Sequence, residues 1–323
     1  MSELWPIVFM GTPNAAAVTL EGLLRGPDPV VGVVTRPDRP TGRGQRMESS
    51  PVRKVADRYG KPVLAPEKIR DQGFLEALKA WEPKIIVVVA YGRILPSNIL
   101  ELPTHGCINV HYSLLPKYRG AAPMTWALVR GETVTGVTTM RLVERMDAGA
   151  ILLQAEASVA PEETTASLES KLIPLGTRLL LETIRGLKEG RLVDTPQEEA
   201  GATYAPILKK DDGRIDWQLP AKEIECRVRA FVPWPSAYTH WKGHWLKIHR
   251  AGVIQREAGA SPGEIIRADD GGFWVATGDG VLDLQEVQQE NRKRMPAPDF
   301  VRGARIKAGE KLGWNTGEER HEL

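Results

Sequence analysis

Two polar side chains stand two residues apart in an otherwise apolar run, Cys107-Ile-Asn-Val-His111. Successive residues of a strand point to opposite sides of a sheet, so Asn109 and His111 share one face while Ile108 and Val110 take the other. An amide and an imidazole at the carboxyl end of a strand can both donate to one substrate oxygen, which describes an oxyanion site. Such a histidine needs a carboxylate to hold its ring and support its cation. Asp147, in the turn Met146-Asp-Ala-Gly149, is the best candidate, far enough downstream to leave room for a helix and a strand. Taken singly, each residue has a plainer explanation: a satisfied core histidine, an asparagine capping a turn, an ordinary turn-forming aspartate.

The elements that must position these groups are legible around them. Apolar runs at residues 7–10, 30–34, 61–64 and 84–90 alternate with helical patterns at 15–26, 51–59 and 73–81. That alternation predicts a parallel sheet covered on both faces, a doubly wound α/β domain. Ligands of such sheets bind beyond the carboxyl ends of the strands, where Gly11-Thr-Pro13, Ala90-Tyr-Gly92 and Asn109-x-His111 all fall. A dinucleotide-dependent oxidoreductase is disfavoured, because the turn after the first strand lacks the second and third glycines that admit a pyrophosphate. Pro123 is suited to open a helix over 124–130, and strands at 136–142 and 150–154 flank the Asp147 turn. A long helix at 166–187 carries Leu168, Leu172, Leu175, Leu179 and Leu187 on one stripe, with Pro174 expected to kink it.

Composition sets the bounds. With 323 residues and 42% hydrophobic content, the chain is long enough for two domains. A net charge of +2 means that nucleic-acid contact must come from local patches. Two cysteines, Cys107 and Cys226, are too few for a disulfide framework or a cysteine metal site, and they fit a reducing, cytoplasmic setting. No signal-peptide pattern and no apolar stretch of roughly 18 residues is present. Periodicity vanishes between 190 and 205, which reads as a linker. Beyond it, a short helix at 221–229 and strands at 237–241, 245–249, 263–266, 273–277 and 281–287 predict a small antiparallel barrel of the oligonucleotide-binding type. Residues 203–250 hold nine Lys or Arg against five acidic residues, with Trp217, Trp234, Trp241 and Trp245 interleaved. Basic surface with aromatics suits an RNA strand, although core filling accounts for most of these tryptophans.

The loop at 35–47 is dense in proline and glycine, which predicts no regular structure there. From Thr35 to Lys54 there are six basic residues against two acidic ones, and guanidinium groups suit phosphates.

Taken together, NVHYSLLPKYRGAAP and the later MDAG resemble the folate-dependent formyltransferase family, with its N-x-H-x-S-L-L-P-x-x-x-G element and downstream Asp-x-Gly. The stretch DRPTGRG is similar to the inserted basic loop of the branch that acts on methionyl-tRNA. Ile215-Asp-Trp, Phe231-Val-Pro-Trp-Pro and the segment from Asn291 to Gly303 extend the likeness along nearly the whole chain. The resemblance implies a Rossmann-like, doubly wound N-terminal formyltransferase domain over 1–190, a linker over 191–205 and an OB-like tRNA-binding β-barrel domain over 206–323. It further implies formyl transfer from 10-formyltetrahydrofolate to the α-amine of initiator methionyl-tRNA, without a metal. Asn109, His111 and Asp147 are then the catalytic residues. Val88, Tyr91, Gly92, Ser113, Leu114, Leu115 and Pro116 surround the folate, and Arg36, Arg39, Arg43, Arg292, Lys293 and Arg294 meet the tRNA. A monomer with no membrane partner, acting in the cytoplasm, is expected. The alternatives are an amino-sugar formyltransferase using the same donor, and a non-catalytic RNA-binding protein for which the Asn, His and Asp constellation is accidental. The chain departs from the family pattern at Ala15 and Ala150, positions that bear on local packing more than on mechanism.

Overall fold

The computed structural model describes residues 3–41 and 46–313. The chain divides into two compact units, one of residues 1–123, 134–158 and 169–206, the other of 124–133, 159–168 and 207–323.

The first unit is built on a seven-stranded sheet: β1 (Ile7–Gly11), β2 (Val30–Val34), β3 (Val63–Leu64), β4 (Ile85–Val89), β5 (Cys107–His111), β6 (Val134–Arg141) and β7 (Ile151–Ser158), in the order β7-β6-β5-β4-β1-β2-β3. The strands from β1 to β5 pair in parallel, and β6 and β7 are antiparallel additions. Every residue of β1 and β4 is buried, as β-branched runs in a sheet covered on both faces must be. Two of the flanking helices start where a side chain can satisfy a free N–H. Ser50 accepts from Arg53 N at 3.1 Å ahead of Pro51–Arg58, and Asp71 accepts from Phe74 N at 3.1 Å ahead of Gln72–Lys79. The chain runs outward from β1 through β2 to β3, then returns to the other side of β1 for β4 and β5. That reversal places the crevice of a doubly wound sheet beside the carboxyl ends of β1 and β4.

Strand β5 is central, with Asn109 opposite Val88 of β4 and Met140 of β6, and His111 opposite Thr138. Its other face is closed by the helix Thr165–Lys188, which continues unbroken through the solvent-facing Pro174. Gly176 makes the close approach possible: a Cβ there would stand 3.0 Å from Val110 and 3.2 Å from both Tyr112 and Val137. Within the first unit the buried stripe of this helix is Leu172, Ile173, Leu179, Leu180 and Ile184, slightly rotated from the expected one, so that Leu175 and Leu187 are only half-buried.

The basic loop differs from expectation. Arg39–Thr41 and Arg46–Glu48 form an antiparallel ladder in which Pro40 faces Met47. A two-stranded ladder has only edges, where a missing proline N–H costs no bond, so the proline content does not forbid it.

The second unit holds β8 (Ala237–Trp241), β9 (His244–Ile254), β10 (Ile265–Asp269), β11 (Gly272–Ala276) and β12 (Val281–Gln289), all antiparallel, in the order β8-β9-β12-β11-β10. This is the OB-like sheet expected from the alternating segments, each found within a few residues of its predicted place. Trp217 and Trp241 lie in its core with Leu246, Ile248, Phe273 and Phe300, whereas Trp234 is 55% exposed.

Candidate active site

A cleft of about 450 Å³ opens at the carboxyl ends of β4 and β5, and Asn109, His111 and Asp147 all line it. The pleat delivers the first two to one face, as the spacing requires. His111 is only 5% exposed, and its Nε2 lies 2.9 Å from the Tyr118 carbonyl. A carbonyl can only accept, so Nε2 carries the proton in that bond. The other nitrogen, Nδ1, is 3.8 Å from Asp147 Oδ2, an ion-pair spacing longer than a hydrogen bond. Asp147 Oδ2 instead accepts from the Gly120 N–H at 2.8 Å. The ring is therefore anchored by backbone rather than by the carboxylate, and Nδ1 is the nitrogen turned towards Asp147. Among the described residues nothing hydrogen-bonds the Asn109 amide, which leaves its donors for a ligand.

The loops around the cleft are held in unusual conformations. Ala90, Tyr118 and Asp147 have φ of 46°, 62° and 47°. Left-handed non-glycine residues cost on the order of 1–3 kcal/mol each and persist where surrounding contacts over-determine them. At Gly149 a Cβ would sit 1.8 Å from the Arg141 carbonyl oxygen, so the glycine that ends the Asp-x-Gly turn is there for backbone clearance.

Part of the cleft wall is formed by Val88, Tyr91 and Gly92. Tyr91 is 2% exposed, and its hydroxyl has no hydrogen-bond partner. Burial pushes the phenol above its ordinary pKa, so it stays a neutral hydroxyl, closed off from the cleft that its residue lines. Arg36 donates from Nε to the Tyr91 carbonyl at 3.2 Å and from its terminal nitrogen to the Gly92 carbonyl. Its guanidinium thus shapes this wall from behind.

The sequence matches the formyl transferase family model over residues 6–184 and the formyl transferase C-terminal domain model over 207–305. The chain belongs to the formyl transferase family. Among curated relatives, the methionyl-tRNA formyltransferase of Desulfotalea psychrophila (strain LSv54 / DSM 12343) is 50% identical over 302 residues, 94% of each chain. That of Syntrophus aciditrophicus (strain SB) is 47% identical over 307 residues, 95% of this chain and 98% of the relative. Among solved structures, the sugar 3N-formyl transferase WlaRD aligns with a TM-score of 0.65 at 18% identity, over 90% of this chain and all of that one. HypX from Aquifex aeolicus, in complex with tetrahydrofolic acid, aligns with a TM-score of 0.59 at 18% identity, over 93% of this chain and 47% of that one. At such identities the structures support the shared fold.

Not all of the expected site residues meet in the cleft. Ser113, Leu114, Leu115 and Pro116 lie outside its lining; the Ser113 hydroxyl donates to Lys117 O at 2.6 Å, and Leu115 is held by Thr138 and Gln154. Arg43 lies outside the described residues. On the second unit, Arg294 is paired with Glu286, and Arg292 offers its carbonyl to Gln288 at 2.9 Å. Sequence reasoning missed Ile94, Val143 and Met146, which line the cleft yet are 64%, 44% and 53% exposed. Their signal is apolar residues in the turns beyond strand ends, where core burial has no use for them. Among the described residues no cluster of three His, Cys, Asp or Glu is placed to hold a metal, and no helix is long and apolar enough to cross a membrane.

Proposed function

We infer that this protein transfers the formyl group of 10-formyltetrahydrofolate to the α-amine of methionyl-initiator tRNA, giving the N-formylated aminoacyl-tRNA used in translation initiation in the cytoplasm. The observation that carries this reading is the convergence of Asn109, His111 and Asp147 on one cleft in a chain 50% identical to a methionyl-tRNA formyltransferase. The cleft suits the donor: a flat pterin would find apolar walls at Leu95, Leu142 and Val143.

The chemistry follows from the proton positions. The amine nitrogen adds to the formyl carbon, the carbonyl oxygen gains charge, and the bond from carbon to the folate nitrogen then breaks. The Asn109 amide and His111 Nδ1 stand where that oxygen develops. Because Nε2–H is committed to Tyr118, only the imidazolium also donates from Nδ1, so His111 acts as a cation. Asp147, 3.8 Å away, compensates that charge and accepts the proton released by the attacking amine, which passes to the departing folate nitrogen. Each oxyanion donor is worth on the order of 10²-fold in rate.

For the tRNA, we place the basic loop, with Arg39 and Arg43, and the Arg292-Lys293-Arg294 stretch against phosphates. The substrate is tested by supplying 10-formyltetrahydrofolate with methionyl-initiator tRNA, with a nucleotide-linked amino sugar, or with neither, and following free tetrahydrofolate. Release with the tRNA alone is expected. Release only with the amino sugar overturns the assignment.

A further inference from the structure

The segment from Thr195 to Ala205 carries no periodic pattern, yet it is bonded to the loop that holds both His111 and Asp147. The Thr203 hydroxyl accepts from Tyr118 N at 2.9 Å, and Tyr204 and Ala205 pair in parallel with Arg119 and Gly120. Tyr118 supplies the carbonyl that anchors His111, and Gly120 the N–H that anchors Asp147.

Gln197 acts more directly. Its Nε2 donates to the carbonyls of Asp147 at 2.8 Å and Gly149 at 2.7 Å, the two ends of the Asp-x-Gly turn. Its Oε1 accepts from Arg119 Nε at 3.0 Å and from a terminal nitrogen at 2.8 Å. One amide thereby spends both its donors on the turn and its acceptor on a buried guanidinium. The arginine fixes which way the amide faces, because only its oxygen can meet the cation. Arg119 is in turn paired with Glu199 at 3.0 Å, and Glu199 also takes Arg145, two residues before Asp147, at 2.6 Å. No part of this network touches the reacting atoms. Its geometry bears on one thing, the left-handed backbone of Asp147.

We propose that Gln197, oriented by Arg119, is a positioning residue for formyl transfer that holds the Asp147 turn so that its carboxylate faces His111 Nδ1. The proposal rests on the reading of Asp147 as a catalytic carboxylate. A misplacement of about 1 Å costs up to roughly 100-fold in a reaction that depends on aligned groups, without any loss of substrate contacts.

Two substitutions separate the halves of the amide. Gln197→Met keeps the length and removes donor and acceptor; Gln197→Glu keeps the acceptor for Arg119 but turns an oxygen onto the two carbonyls. Stabilisation of each variant by tetrahydrofolate in thermal unfolding reports that it is folded. Both variants are expected to lose about tenfold or more in kcat with methionyl-tRNA, with KM for 10-formyltetrahydrofolate unchanged within about twofold. In an Asp147→Asn background, Gln197→Met should cost less than about twofold further, because the group it positions is already gone. Wild-type kcat in both single variants overturns the proposal, as does a full additive loss in the Asp147→Asn background, the mark of a general structural role. Wild-type turnover in Asp147→Asn alone removes the catalytic reading together with the proposal. Loss in Asp147→Asn beside wild-type kcat in the Gln197 variants removes the proposal only.

Discussion

Replacing Tyr91 by Phe should raise stability and leave ligand affinity unchanged. The side chain is 2% exposed and its hydroxyl oxygen is unpartnered, so the free protein buries a polar atom without compensation. Such a group costs about 1–3 kcal/mol, and phenylalanine removes it while keeping the ring that packs with Val8, Met10, Val88 and Leu95. Taking the lower figure, the free Tyr91→Phe protein should unfold about 2–4 °C above the parent. The hydroxyl oxygen is sealed off from the cleft, so a pterin bound there leaves the cost in place in the parent and meets the same walls in the variant. Tetrahydrofolate should therefore bind parent and variant alike, within about twofold. Thermal unfolding of the free protein and a calorimetric titration with tetrahydrofolate give the two numbers. Generic damage lowers both, so a higher melting temperature at unchanged affinity is specific to this reasoning. Affinity weakened about fivefold or more, or a variant that melts lower than the parent, refutes it.

Further outcomes follow from the same structure. Burial pushes the Cys107 thiol up to about 12, so the folded protein should resist alkylation of Cys107 at pH 8 and react once denaturant is added; labelling of the native thiol contradicts this. The sign for stability follows: the folded state keeps the proton while the unfolded thiol loses it, so this contribution is complete below about pH 9 and is lost as pH rises from about 9 to 12. Denaturant melts at pH 8 and 10.5 should show it as a loss that Cys107→Ala reduces. Arg43→Leu is expected to raise KM for methionyl-tRNA and flatten its salt dependence, leaving the folate KM unchanged, as measured by initial rates at several salt concentrations. Identical tRNA kinetics would remove Arg43 from the interface.

Much of the fold was legible because its signals are local. The continuous apolar runs of β1, β2 and β4 and the alternating strands of the second unit lie close to their predicted places, since period and composition determine them residue by residue. Asn109 and His111 could be assigned to one face from the pleat alone. What the sequence hid was backbone. That the Tyr118 carbonyl, and not the Asp147 carboxylate, holds the imidazole depends on a left-handed residue in a loop that no side-chain pattern announces. Arg36, expected to meet phosphate, donates to the Tyr91 and Gly92 carbonyls, a contact between segments 55 residues apart whose acceptors are main-chain atoms. The stretch containing Gln197 looked structureless because its order comes from single hydrogen bonds and one two-residue pairing, which leave no periodicity. Exposed Ile94, Val143 and Met146 went unread for the opposite reason, as apolar residues outside any element give only a weak signal one at a time.

The claim that Asn109 and His111 share the charge of a developing oxyanion is tested most directly by single turnover. Enzyme saturated with 10-formyltetrahydrofolate is mixed with methionyl-initiator tRNA, and formation of the formylated product is followed for the parent, Asn109→Ala and His111→Ala. A fall of about 100-fold or more in each variant, with tetrahydrofolate affinity unchanged within about twofold, is the predicted result. A parental rate in either variant, with donor and tRNA both bound, would contradict the account at its centre.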